Sequence, residues 1–158
     1  MNTDVPGPRI GSDQWDAIMA AVMAAGMTPP LGMALASAVR GRLFSGPERE
    51  SGRAAWLLGA SFITEGAIPF AVADPWRVIA SSMAGSAVAG ALVMAFGSTS
   101  RAPHGGIWVA PLIGSPQLFL LAVAAGACVT AGVIIALKST RRAVAAEQAL
   151  AGAAGSAR

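Results

Sequence analysis

Apolar residues in this chain gather into long tracts, at residues 18–39, 54–73, 78–96 and 118–137, divided by short polar runs. A hydrocarbon core roughly 30 Å thick takes about 20 apolar residues to cross as a helix. The tract at 118–137 meets that requirement most directly, since it holds no charge and ends at Lys138, Arg141 and Arg142. The tract at 78–96 is a second span, with Ser82, Ser86 and Gly90 four residues apart, a spacing that lets helices approach closely. The tract at 18–39 is long enough to be a third, but Pro29 and Pro30 lie inside it. Each proline forfeits a helical hydrogen bond at a cost of about 3 kcal/mol. A kinked or broken span is therefore predicted, packed against protein or a cavity.

Two further stretches are apolar overall but too interrupted for regular spans. Residues 54–73 carry Ser61, Thr64, Glu65, Gly66 and Pro69, and residues 97–116 carry Arg101, Pro103, His104, Gly105, Gly106, Pro111 and Gly114. Charge decides how they run. The segment from Arg40 to Arg53 holds four arginines, and basic loops face the cytoplasm. If the stretches at 54–73, 78–96 and 118–137 were the only crossings beyond that loop, the basic end at Lys138 would lie on the opposite side. If both interrupted stretches enter and leave on one face, Arg40–Arg53, Arg77 and Lys138 all share the cytoplasmic side. The expectation is an all-α membrane protein of three transmembrane helices plus two re-entrant helical hairpins, with the acidic amino terminus (Asp4, Asp13, Asp16) outside. Residues 1–14 read as an exposed lead-in, 15–142 as the membrane domain, and 143–158 as an Ala-rich cytoplasmic tail.

Composition agrees: 54% of residues are hydrophobic and 12% charged, against roughly 25% charged in soluble domains. The net charge of +3 comes from residues at tract ends, which orient a membrane protein and do not form a nucleic-acid surface. The amino terminus carries Asp4, Asp13 and Asp16 where a cleaved signal would carry positive charge. Trp15, Trp76 and Trp108 lie near tract ends, as interfacial anchors do. Cys128 sits in an uncharged run, the wrong setting for a reactive thiolate, and no cluster has metal-ligand spacing. Phosphate-binding, nucleophile-elbow and kinase motifs are missing, so neither a metal nor a cofactor is expected.

Irregular backbone at membrane depth is tolerated where protein or a water-filled cavity satisfies it, and paired interrupted segments point to a transporter's binding site. Each stretch here holds one titratable group. Glu65, flanked by Thr64 and Gly66, would cost on the order of 2.5–3.5 kcal/mol to insert, and its carboxylate can accept hydroxyl hydrogen bonds. The bland alternative pairs Glu65 with Arg101 or has it cap a hairpin helix. His104 precedes Gly105 and Gly106, where adjacent glycines allow close backbone approach and a neutral imidazole both donates and accepts. A lone loop histidine is as often a satisfied polar residue.

The runs from Ser61 to Ala71 and Ala73 to Val78, the stretch Met83 to Val88, and Arg101-Ala-Pro-His-Gly-Gly106 together resemble the carboxyl-terminal half of enzyme IIC of the fructose-specific phosphotransferase system. The resemblance covers roughly residues 18–137. It implies a transport-domain half of a IIC fold that carries sugar inward against a scaffold domain, with Thr64, Glu65, Gly66, His104 and Gly105 as candidate fructose-binding residues. It further implies a multi-pass protein of the bacterial cytoplasmic membrane working with separate IIA and IIB components. The phosphoryl-carrying cysteine and histidine belong to those components, so no catalytic residue and no independent enzyme activity is assigned to this chain; Cys128 and His104 do not fill those roles. Members of the family have a IIC region about twice as long, so the amino-terminal scaffold half is an implied partner, and a homodimer is expected only with that half present. A non-transporting membrane interaction protein or remnant, and a secondary transporter coupled to protons through Glu65, are the alternatives.

Overall fold

The computed structural model describes residues 11–156 apart from Pro103. Most of the lead-in therefore lies outside the described residues, and Ser12 to Gln14 already belong to the first helix. Helix α1 runs Ser12–Val39, α2 Gly46–Ala60, α3 Ile68–Ala73, α4 Pro75–Ala95 and α5 Pro116–Ser156. Short 3-10 helices occupy Gly41–Leu43, Thr64–Ala67 and Gly106–Leu112. Three helices are long and apolar enough to cross a membrane: α1, α4 and the Pro116–Arg141 part of α5. They coincide with the three expected spans, and the helix continues into the Ala-rich tail.

Two buried clusters fix how these helices run. Ala20, Met23 and Ala24 of α1 meet Ala89 and Val93 of α4 and Phe119 and Ala122 of α5. At the other end, Met33 and Ala36 meet Val78 and Ile134. Helix α4 is thus antiparallel to both α1 and α5, which run parallel to each other. Small residues permit the close contact. Gly32 of α1 and Gly85 of α4 both abut Thr130 of α5, and Gly126 of α5 lies where a Cβ would come 2.7 Å from that of Ala89. Helix α4 carries two small-residue stripes. Ser81, Gly85 and Ala89 are among its buried residues, with Gly85 and Ala89 against α5. Ser86 and Gly90, from the stripe noted in sequence, instead face the α1 carbonyls of Ala25 and Ala21.

Helix α1 passes through Pro29 and Pro30 without a break. In an α-helix those two residues would have donated to the carbonyls of Ala25 and Gly26. The Ser86 hydroxyl donates to the first at 2.8 Å and the Thr64 hydroxyl to the second at 3.2 Å. Neighbouring hydroxyls thus replace the missing donors, one of the ways membrane helices accommodate proline.

The first interrupted stretch forms a hairpin from α2, a turn and α3. Ser45 and Glu48 close a capping box that starts α2. The base lies at the carboxyl-terminal end of α1: Gly52 abuts Ser37, and the Phe44 and Phe70 rings meet edge to face with centroids 5.9 Å apart. Further along, Gly59 packs on Leu31 and the Phe62 ring on Gly26, so the tip reaches the midpoint of the 28-residue α1. Phe70 then returns the chain to the base. The second interrupted stretch enters from the opposite end. The Ser100 amide donates to the Asp16 carbonyl at 2.9 Å, the Gly114 amide to Thr99 at 2.9 Å, and Ser100 bridges Ile113, closing its neck. Its regular structure is one 3-10 helix, Gly106–Leu112; Gly105, Gly106 and Pro111 prevent a longer helix.

Candidate functional site

The two re-entrant segments meet at their tips. Helix α2 ends because Phe62 turns to a φ of 63°, a conformation strongly disfavoured for a bulky aromatic residue. Two bonds hold the turn: the Phe62 amide donates to Gly59 at 3.2 Å and the Ile63 amide to Leu58 at 2.8 Å. The chain then coils through Thr64-Glu65-Gly66-Ala67. Gly66 is buried, and a Cβ there would stand 3.1 Å from Leu58 and 3.2 Å from Pro30. Glycine therefore lets the tip lie against the proline pair. Thr64 is tied to the Gly26 carbonyl, while Glu65 is exposed on the next position.

The second segment arrives against this same turn. Gly105 and Gly106 take φ values of 121° and 59°, which glycine adopts without a Cβ penalty. Gly106 is so close to the Ala60 carbonyl that no Cβ would fit, and one would also stand 2.8 Å from the Phe62 amide nitrogen. The Trp108 indole donates to the Ser61 hydroxyl at 3.0 Å. His104 lies two residues before Gly106 and is exposed.

The structure thus brings together the segments bearing Thr64, Glu65 and Gly66 on one side and His104 and Gly105 on the other. Within the described residues, neither the Glu65 carboxylate nor the His104 imidazole forms an ion pair or hydrogen bond with another side chain. The weighed pairing of Glu65 with Arg101 does not form, and Arg101 is exposed. Trp108, expected from the sequence near a tract end as an interfacial anchor, instead bonds across the junction between the two tips. The roles of Ser61 and Ser86 are not readable from local sequence, because they depend on distant partners, Trp108 and Ala25. No group of three or more metal-ligating side chains occurs among the described residues.

A groove of about 380 Å³ lies alongside, between the tip and α4. Pro29, Thr64, Ile68, Ile79, Met83 and Ser86 line it, giving a largely apolar wall. Glu65 and His104 lie outside its lining, so the polar groups and the apolar hollow are separate features.

The chain is 57% identical over 123 residues to the PTS system fructose-specific EIIB'BC component of Rhodobacter capsulatus, covering 76% of this chain and 21% of that protein. It is 52% identical over 120 residues to the PTS system fructose-specific EIIC component of Haloferax volcanii, covering 76% and 32% respectively. A fructose permease IIC component of Bacillus amyloliquefaciens is 50% identical over 119 residues, covering 75% and 39%. The chain thus spans from about a fifth to two fifths of these relatives' lengths. No family model matches, and no solved structure matches.

Proposed function

Because the chain is homologous to the EIIC part of fructose-specific phosphotransferase-system components, we propose that it is a sugar-binding membrane component of such a system. Fructose, or a close relative, binds where the two re-entrant tips meet. The Glu65 carboxylate accepts hydroxyl hydrogen bonds, and the neutral His104 imidazole donates or accepts. Thr64, Gly66 and Gly105 shape the backbone around them. The observation that carries this reading is the packing of Gly106 on Ala60 and Phe62, which brings the Glu65 and His104 segments to one junction.

The phosphoryl group comes from outside this chain. Cys128, the one cysteine, lies within α5 in an uncharged apolar run, not the setting of a reactive cysteine. Relatives carry names that join EIIB to EIIC, and in Bacillus subtilis EIIA as well. IIB and IIA are accordingly the proposed partners, along with the remaining part of EIIC, in the bacterial cytoplasmic membrane. A homodimer is proposed only with that remaining part present.

Equilibrium fructose binding in nanodiscs tests the site. A hydrogen bond to a charged group is worth about 1.5–3 kcal/mol, so Glu65→Gln is expected to weaken binding by roughly ten- to a hundredfold. Unchanged affinity would remove Glu65 from the site. The unpaired, exposed Glu65 also suits a proton relay. Sugar uptake driven by a pH gradient in vesicles, without any phosphorylated partner, would favour that second reading.

A further inference from the structure

We infer that Pro29 and Pro30 act as an acceptor socket, and that Thr64 is a positioning residue which plugs the first hairpin's tip into it. Proline removes a helical donor and crowds the carbonyl four residues back. The two consecutive prolines free two consecutive carbonyls, Ala25 and Gly26, at the midpoint of α1. Each then accepts from a different element: Ala25 from Ser86 of α4 at 2.8 Å, Gly26 from Thr64 of the tip at 3.2 Å. Thr28 lies on the same turn, its hydroxyl donating to the Ala24 carbonyl at 2.8 Å. The surrounding packing is matched to the contact. Gly26 leaves room for the Phe62 ring, and Gly66 leaves room for Pro30.

An ordinary helix offers no carbonyl at mid-span that lacks a backbone amide. The proline pair supplies one on each of two adjacent residues, about 100° apart around the axis, so α4 and the tip are both held to one turn of α1. Thr64 precedes Glu65 directly. Its bond sets where the carboxylate stands, and its hydroxyl is used by α1 and not by the sugar. The assignment rests on the reading that Glu65 meets sugar, but the socket itself has a separate readout.

A double-mutant cycle in the full chain tests it. Thr64→Val removes the donor at constant shape, and Pro30→Ala restores the amide that captures the Gly26 carbonyl. Thr64→Val is expected to lower the thermal midpoint in nanodiscs by about 2–4 °C. In the Pro30→Ala background that drop is expected to shrink, because the restored amide already satisfies one lone pair of the Gly26 carbonyl. Thr64→Ser, which keeps the hydroxyl, is expected to restore the midpoint. Fructose affinity is expected to fall several-fold in Thr64→Val and to recover in Thr64→Ser. Ile134→Val, remote from the tip and similarly destabilising, is expected to leave affinity unchanged. Equal drops with and without Pro30, or failure of Thr64→Ser to rescue, would overturn the socket. If Pro30→Ala does not fold, the Val and Ser pair decides alone. Absence of fructose binding in the parent chain would overturn the sugar reading while the thermal cycle still judges the socket.

Discussion

The carboxylate of Glu48 sits at the base of the first hairpin, buried, with the Lys138 ammonium 2.6 Å away and the Ser45 amide 2.7 Å from its other oxygen. Burial pushes this carboxyl upward, but the Lys138 bond and the Ser45 backbone and hydroxyl bonds together outweigh it, leaving the group below its ordinary value. A carboxyl that is easier to ionise when folded contributes stability above its unfolded pKa and loses it as pH falls through the lower folded value. Thermal stability in detergent is therefore expected to decline as pH falls from the ordinary carboxylate range downward, and Glu48→Gln is expected to flatten that decline. Lys138 also stands 4.2 Å from the Phe44 ring centroid. Lys138→Met would strand a buried carboxylate at a cost of about 3–5 kcal/mol, whereas adding Glu48→Gln recovers much of it; a thermal melt of the single and double variants distinguishes them. Gly106→Ala belongs to the same scale. Its φ of 59° and the adjoining Ala60 carbonyl leave no place for a methyl group, so the two tips are expected to separate. Fructose affinity should then fall with Glu65 and His104 both intact, as a binding titration would register.

The hairpins were legible because their interruptions are written in residue type. Glycine, proline and charge inside apolar tracts exclude a regular span, and the basic segments at Arg40–Arg53 and Lys138 then require an even number of crossings between them. The Glu48–Lys138 contact joins those two segments at one end of the molecule, as that bookkeeping demands. Cysteines placed at Ser51 and Ser139 in a Cys128→Ala background are expected to react with an impermeant thiol reagent from the same face of oriented vesicles, and from the face opposite Ser12→Cys. Labelling of Ser51→Cys and Ser139→Cys from opposite faces would reject the topology. The intact helix through Pro29 and Pro30 was not legible, because its cause lies outside the helix. Ser86 follows Ala25 by 61 positions and Thr64 follows Gly26 by 38, and local propensity carries no record of such partners. The meeting of Gly106 with Ala60 was likewise invisible, although paired glycines in a broken tract signalled close backbone approach.

Across the whole molecule, the outward face of α4 is apolar throughout its length. Trp76 is 84% exposed and Met83 67%, and Ile79 and Met94 continue the exposed apolar surface. In water such a face would be a liability; against acyl chains or further membrane protein it is not, since lipid tails are as apolar as these side chains. The chain spans 21–39% of the relatives described above, and the proposed chemistry divides in the same way. Binding requires the two tips, whereas sugar phosphate requires a phosphoryl donor on another component. Vesicles containing this chain alone are therefore expected to bind fructose without forming fructose phosphate. Phosphorylated IIB together with the rest of EIIC is expected to restore product, and Glu65→Gln to lower it again at limiting fructose. If phosphoryl transfer is the driving force, as proposed, dissipating the pH gradient should leave that product unchanged. Product that instead tracks the gradient would mean Glu65 carries protons, and the two tips would then hold a different coupling chemistry in the same fold.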